Sequence, residues 1–187
     1  MKVLFISLGC DKNLVDSEMM LALLKDGGHE ITDMEEEAEV IVVNTCCFIH
    51  DAKEESIETL LEMAQWKTKG KCVALIAAGC LAQRYFEEIR TEMPEVDGVV
   101  GTTSYDKIIE AIDEIIKGKK AECMDDLNRI PVGITKRYPS LNRYSAYLKI
   151  AEGCNKRCTY CIIPHIRGNF RSVPIEELLI PAVNLAN

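Results

Sequence analysis

No apolar run in the chain approaches the ~20 residues that a bilayer-spanning helix needs, so no membrane span is expected. A basic excess is missing as well. The 22 Lys and Arg stand against 30 Asp and Glu, a net charge of -8, which argues against broad non-specific nucleic-acid binding by this segment. An export signal is absent. The apolar start Met1-Lys-Val-Leu-Phe-Ile-Ser stops at Gly9-Cys10 without a small-residue cleavage pattern, so it reads as a strand and a cytoplasmic location is expected. Nor is the cysteine count even. Nine cysteines without an export signal argue against a disulfide framework and for metal or redox use of the clustered ones. Scattered ones such as Cys72 and Cys123 read as small buried apolar residues.

What is present is a soluble, globular composition of 187 residues, 48% apolar and 28% charged, enough for one full domain and a fragment. Residues 2–8 read as a buried strand. Asn13 is placed to cap a helix with Asp16 in its first turn, an apolar stripe Leu14, Val15, Met19, Ala22 and Leu23, and a stop at Gly27-Gly28. A short strand is expected near Glu30–Thr32 and a solvated turn at Glu35–Glu37. The β-branched run Val40–Val43 predicts a strand. The helix after it starts near Asp51, with a capping-box-like Glu54 and a stripe Ile57, Leu60, Leu61, Ala64. Lys67–Lys71 reads as a loop, 72–78 as a strand, 81–93 as one helix closed by Pro94, and 96–100 as a strand. Ser104 is expected to cap a last helix with the stripe Ile108, Ile109, Ile112, Ile115 and Ile116, ended by Gly118. This alternation predicts an α/β fold, an open and mostly parallel sheet with helices on both faces, over residues 1–118. A linker follows at 119–145, carrying Pro131, Gly133 and Pro139. Residues 146–187 start a new unit: a strand at 147–151, a cysteine loop, and a helix from Ile175 that Pro181 is expected to kink.

Two thiol sets stand out. Cys154-x3-Cys158-x2-Cys161 places three thiols in one loop after Gly153, where three ligands leave one metal position open. His165 as a fourth ligand would make a zinc site, and Cys158-Thr-Tyr-Cys161 alone would make a thioredoxin-like dithiol. The second set is dispersed. Cys10, Cys46 and Cys80 each sit just past a predicted strand at the entrance to a helix, and ligands bind outside the carboxyl ends of parallel strands. Helix N-termini there favour thiolate. The alternative is three small buried residues at tight turns. Cys47 is expected to point elsewhere. Lys156, Arg157, His165, Arg167 and Arg171 form a late basic cluster, readable as a solvated face or as one turned to substrate or cofactor.

The loop Cys154-x3-Cys158-x2-Cys161, with Tyr160 before the last thiol, resembles the radical S-adenosylmethionine signature. Glu152-Gly-Cys-Asn155 and Pro164-x-x-Arg167-Gly168 resemble its methylthiotransferase branch, as do Gly9-Cys10-x-Lys-Asn-Leu-Val-Asp16-Ser17-Glu18, Asn44-Thr-Cys46 and Gly79-Cys80. Lys12–Glu18 and Ile162-Ile163-Pro164 suit the members that act on a ribosomal protein rather than those that modify tRNA adenosine. The resemblance implies methylthiolation of the β-carbon of an aspartate in protein twelve of the small ribosomal subunit. It implies two 4Fe–4S clusters. One, on Cys154, Cys158 and Cys161, binds S-adenosyl-L-methionine and yields a 5′-deoxyadenosyl radical. The other, on Cys10, Cys46 and Cys80, carries the sulfur. Tyr160 is then expected beside the adenine, and Arg167 and Arg171 near cofactor or substrate. A flavodoxin- or ferredoxin-like electron donor is implied, and nucleic-acid contact through a C-terminal domain. Val173 stands where the family often has Arg. The family's catalytic unit is a (β/α) barrel of more than ~200 residues. Only its beginning is expected here, which also leaves a non-catalytic iron–sulfur fragment as a reading of the chain taken alone.

Overall fold

The computed structural model describes residues 1–131, 136–138 and 145–186. Its chain alternates strand and helix: β1 (Lys2–Ser7), α1 (Asp11–Asp26), β2 (Glu30–Thr32), β3 (Val40–Thr45), α2 (His50–Ala64), α3 (Trp66–Lys69), β4 (Ala74–Ala78), α4 (Gly79–Arg84), α5 (Phe86–Glu92), β5 (Gly98–Val100), α6 (Ile108–Ile116) and β6 (Ala121–Cys123). The six strands form one sheet in the order β2-β1-β3-β4-β5-β6. Every neighbouring pair is parallel. The α/β expectation holds, and "mostly parallel" becomes wholly parallel for this sheet.

Burial follows the period of two along each strand. Val40 and Val42 pack with Met20 and Leu24 of α1 and with Ile108 and Ile112 of α6. Ile41 and Val43 face the other way, onto Leu60 and Met63 of α2 and Leu81 of α4. Helices on both sides leave β3 and β4 buried throughout, which is why Val40–Val43 and Ala74–Ala78 are continuous apolar runs. The strand order reverses between β1 and β3. α1 leaves on one face and α2 on the other, so their two turns flank a crevice at the carboxyl edge of the sheet.

Several local expectations change. Asn13 does not cap α1. The cap position is Cys10, with no side-chain bond, and Asn13 lies a turn later, fully buried. The inner face of α1 buries Asn13, Asp16, Ser17 and Glu18 beside Val15, Met20, Ala22 and Leu24. α2 starts at His50 without a side-chain cap, and its buried line is Ser56, Leu60 and Met63, while Leu61 is exposed. The expected loop at 67–71 contains α3, and the expected single helix at 81–93 breaks at Tyr85 into α4 and α5. Ser104 bonds Asp125 through its hydroxyl and precedes a 3-10 turn, Tyr105–Lys107, that leads into α6. β6, from the segment expected as linker, adds a sixth strand on β5. The linker residues 132–135 and 139–144 lie outside the described residues.

Beyond residue 145 come β7 (Ala151–Glu152), α7 (Ile163–Arg167), β8 (Arg171–Ser172) and α8 (Ile175–Ala186). The strand expected at 147–151 is reduced to β7, which pairs antiparallel with β8, unlike the parallel pairing of a (β/α) barrel. α8 runs through Pro181 and buries no residue. Among the described residues, no helix is long and apolar enough to cross a membrane.

Candidate metal centres

Gly9, Cys46 and Gly79-Cys80 meet at the carboxyl edge of β1, β3 and β4. Gly9 has φ +93°, and a Cβ there would lie 2.7 Å from the Cys46 Cβ and 2.8 Å from its sulfur. The β1–α1 turn and the β3–α2 turn therefore touch, and only a residue without a side chain allows it. Asn13 clamps the same turns, donating from Nδ2 to the carbonyls of Leu8 (2.9 Å) and Thr45 (2.8 Å). The Cys80 thiol lies 3.6 Å from the Asn13 Oδ1. Cys46 and Cys80 are buried, and Cys10 is exposed. Cys47 turns into the core, its thiol directed at the Cys80 carbonyl at 3.2 Å.

The 154–161 loop is built from tight turns. Gly153 has φ +74°, and a Cβ there would sit 2.0 Å from the Asn169 carbonyl oxygen. The Cys154 amide donates to the Gly168 carbonyl (3.1 Å) and the Cys161 amide to Cys158 (3.0 Å). Arg157 takes φ +48°, and the Lys156 amide reaches the Cys154 sulfur at 3.5 Å. Cys158 is exposed, and Cys154 and Cys161 are half-buried.

The two loops share a cleft. An open space of about 520 Å³ is bordered by Phe48 and Ile49, just past Cys46, by Arg84, and by Thr159, Tyr160, Cys161, Ile162 and His165 across from them. Tyr160 is 90% exposed on its rim. Ile166 and Arg167 of α7 plug into the sheet domain. Ile166 is buried against its core, and its carbonyl accepts from Thr102 Oγ1 at 2.7 Å.

Arg167 departs from the sequence picture. Of the five basic residues, Lys156, Arg157 and His165 are exposed and Arg171 is half-buried, but Arg167 is 2% exposed. Its Nη1 pairs with Asp16 and, at 3.3 Å, with Glu152. Its Nη2 donates to Asn13 Oδ1 (2.6 Å) and reaches the Cys80 sulfur at 3.4 Å. Lys149 pairs with Asp16 and, at 3.2 Å, with Glu152. Lys12 donates to the Ala151 carbonyl at 3.0 Å. Burial would push the Glu152 carboxyl up, but Arg167, Lys149 and Lys12 outweigh it and hold it at about 2. Burial pushes the Cys80 thiol up to about 12, against the pull of Arg167.

The profile described as "Uncharacterized protein family UPF0004" matches residues 2–101. The chain belongs to that family. The match holds all three strand-end thiols and stops before the 154–161 loop. This UPF0004 chain is also similar, over nearly its whole length, to proteins named ribosomal protein uS12 methylthiotransferase RimO. It is 59% identical to the one from Lachnoclostridium phytofermentans over 96% of the chain and 41% of that protein. The protein from Acetivibrio thermocellus is 54% identical over 99% and 42%, and that from Clostridioides difficile 46% identical over 100% and 42%. The chain thus spans about two fifths of the length of the curated relatives it matches.

The donor sets decide what such a UPF0004 site can hold. Neither triad brings its three sulfurs within 4.8 Å of one another, the closeness that would let them converge on one ion. Nor does His165 close such a group with the loop thiols, as a zinc site requires. In a multi-iron cluster each sulfur binds a different iron, so such thiols need not converge on one point. N–H groups point at the Cys154 and Cys80 sulfurs, the kind of contact that orients a metal-binding thiolate. Sequence reasoning singled out the six thiols but did not anticipate that Asn13, Asp16, Lys149 and Glu152 gather around Arg167 and Cys80. The available signal was Asp16-Ser17-Glu18, a polar run interrupting the apolar stripe of α1.

Burial also ranks the thiols of the metal-free protein. In a limited iodoacetamide reaction near pH 8, Cys10 and Cys158 are expected to label first. Cys47, Cys72, Cys80 and Cys123, all buried with thiols pushed up by burial, label last. Peptide mass spectrometry reads the order, and early labelling of Cys80 would contradict this closed strand-end site.

Proposed function

We propose that this chain is part of a radical S-adenosylmethionine methylthiotransferase that modifies an aspartate of ribosomal protein uS12. Cys154, Cys158 and Cys161 are the ligands of one 4Fe–4S cluster, and Cys10, Cys46 and Cys80 those of a second. The sheet domain, the connecting segment and the unit from 146 onward are the matching domains. When bound, the clusters and S-adenosylmethionine supply a carbon radical for hydrogen removal and the sulfur to be transferred, chemistry that no side chain offers.

One observation supports the reading: the β3–α2 turn that follows Cys46 and the loop that holds Cys161 border the same cleft. Hydrogen removal and sulfur delivery at one carbon need two centres around one substrate space. The chain's own residues do the placing. Asn13 and Gly9 hold the β1 and β3 turns together. Ile166 and Arg167 seat the radical loop against the strand ends. Phe48, Ile49 and Tyr160 border the open cleft with apolar surface, and Tyr160 would stand beside the adenine. The reductant is a flavodoxin- or ferredoxin-like protein, and nucleic-acid contact belongs to a part of the enzyme beyond these residues.

The test uses the natural full-length protein, loaded with iron and sulfide under anaerobic conditions. It is supplied with S-adenosylmethionine and a reductant, and offered small ribosomal subunits and tRNA in parallel. A methylthio mass increment is expected on one uS12 aspartate and none on tRNA. Modification of a tRNA adenosine with uS12 unchanged would overturn the substrate assignment.

A further inference from the structure

Arg167 belongs by sequence to the radical loop's flank and by contact to the other thiol set. It closes α7, is 2% exposed, and directs its two terminal nitrogens at different jobs. Nη1 serves the carboxylates of Asp16 and Glu152. Those two carboxylates already face Arg167, Lys149 and, from the edge, Lys12, so they are compensated without the Nη2 donor. Nη2 is left over from that pairing. It donates to Asn13 Oδ1 at 2.6 Å and stands 3.4 Å from the Cys80 sulfur. Asn13 is fixed in turn by two backbone carbonyls, so the donor is held in place from both sides.

We propose that Arg167 is a positioning residue for the strand-end centre. It donates to the Cys80 sulfur and thereby raises the reduction potential of a cluster held there. A cation and an N–H donor at a ligand sulfur withdraw electron density from the iron and favour the more negative, reduced state. This rests on the proposed ligand role of Cys10, Cys46 and Cys80. The same bond makes the radical loop's flank sense the strand-end centre, because α7 starts two residues after Cys161.

The test is a redox titration of the natural full-length protein carrying both clusters, followed by electron paramagnetic resonance. Iron and sulfide are counted on each variant. Arg167→Gln is expected to lower the midpoint potential of the strand-end cluster and leave that of the Cys154, Cys158 and Cys161 cluster in place. Arg167→Lys restores the charge but not the fork, and is expected to recover part of the shift. It also carries the test if Arg167→Gln does not fold. Asp16→Asn removes the ion pair but keeps the Nη2 donor, so it is expected to lower the melting temperature without lowering the strand-end potential. A wild-type strand-end potential in the folded, fully loaded Arg167 variants overturns the inference. So does a drop in Asp16→Asn equal to that in Arg167→Gln, which is the mark of a merely structural role. A wild-type protein that takes no iron on the strand-end triad overturns the ligand assignment and this inference with it. With both clusters present, only the inference is at stake.

Discussion

Replacing Cys10, Cys46 and Cys80 together by alanine is expected to remove half of the iron and half of the sulfide from the reconstituted natural protein. The three thiols come from three different β–α turns, so no single loop can keep a cluster once they are gone. Replacing Cys154, Cys158 and Cys161 removes the other half. The two losses are expected to be independent, because each triad lies on its own backbone turns. Each remaining centre should keep its own electron paramagnetic resonance signal. Full iron content in the first triple variant would show that the strand-end thiols are structural. Alanine is the proper replacement here. Cys46 and Cys80 are buried, and a serine hydroxyl would add a polar group to a site already crowded with them.

Asp16→Ala is expected to be the most destabilising single change outside the apolar core. The residue is 3% exposed and is the shared counter-ion of the buried Arg167 and the largely covered Lys149. Its removal leaves Glu152, itself shared with Lys12, to face both Arg167 and Lys149. Breaking a buried pair in this way costs about 3–5 kcal/mol, because the surviving charge is uncompensated. For a chain of this size, that corresponds to a melting-temperature drop of roughly 10 °C. Calorimetry checks it. A drop no larger than that of an exposed substitution such as Asp26→Ala would mean that Arg167 and Lys149 find other partners. Asp26 is a fair comparison because its contact with Lys136 is exposed on both sides.

The parts of this fold legible in the sequence are those whose causes are local. Val40–Val43 of β3 and Ala74–Ala78 of β4 are apolar at every residue because helices cover both faces, and that pattern is readable without a partner strand. The strand-end thiols were readable for the same reason: once the strands are located, their carboxyl ends follow. Asn13 shows where local rules mislead. Its type and position suit a helix cap, but its amide serves the carbonyls of Leu8 and Thr45, and the second of these comes from another strand. β6 was hidden because Ala-Glu-Cys is three residues long and has no periodicity to read. The break at Tyr85 was hidden because α4 and α5 each follow helical spacing. The network on Arg167 lay furthest from reach. Asp16 pairs with residues 133 and 151 positions away, and no window along the chain contains both partners.

That separation orders events in time. On the ribosome, Cys10, Cys46 and Cys80 are together as soon as β4 has joined the sheet. Arg167, which closes over Cys80, follows 87 residues later. At translation speeds of about 5–20 residues per second, the interval is on the order of ten seconds. During it Cys80 stands uncovered, and afterwards the docking of α7 shuts it in, while Cys10 stays exposed. On the proposed ligand roles, iron and sulfide would meet the dispersed thiols before the contiguous loop exists.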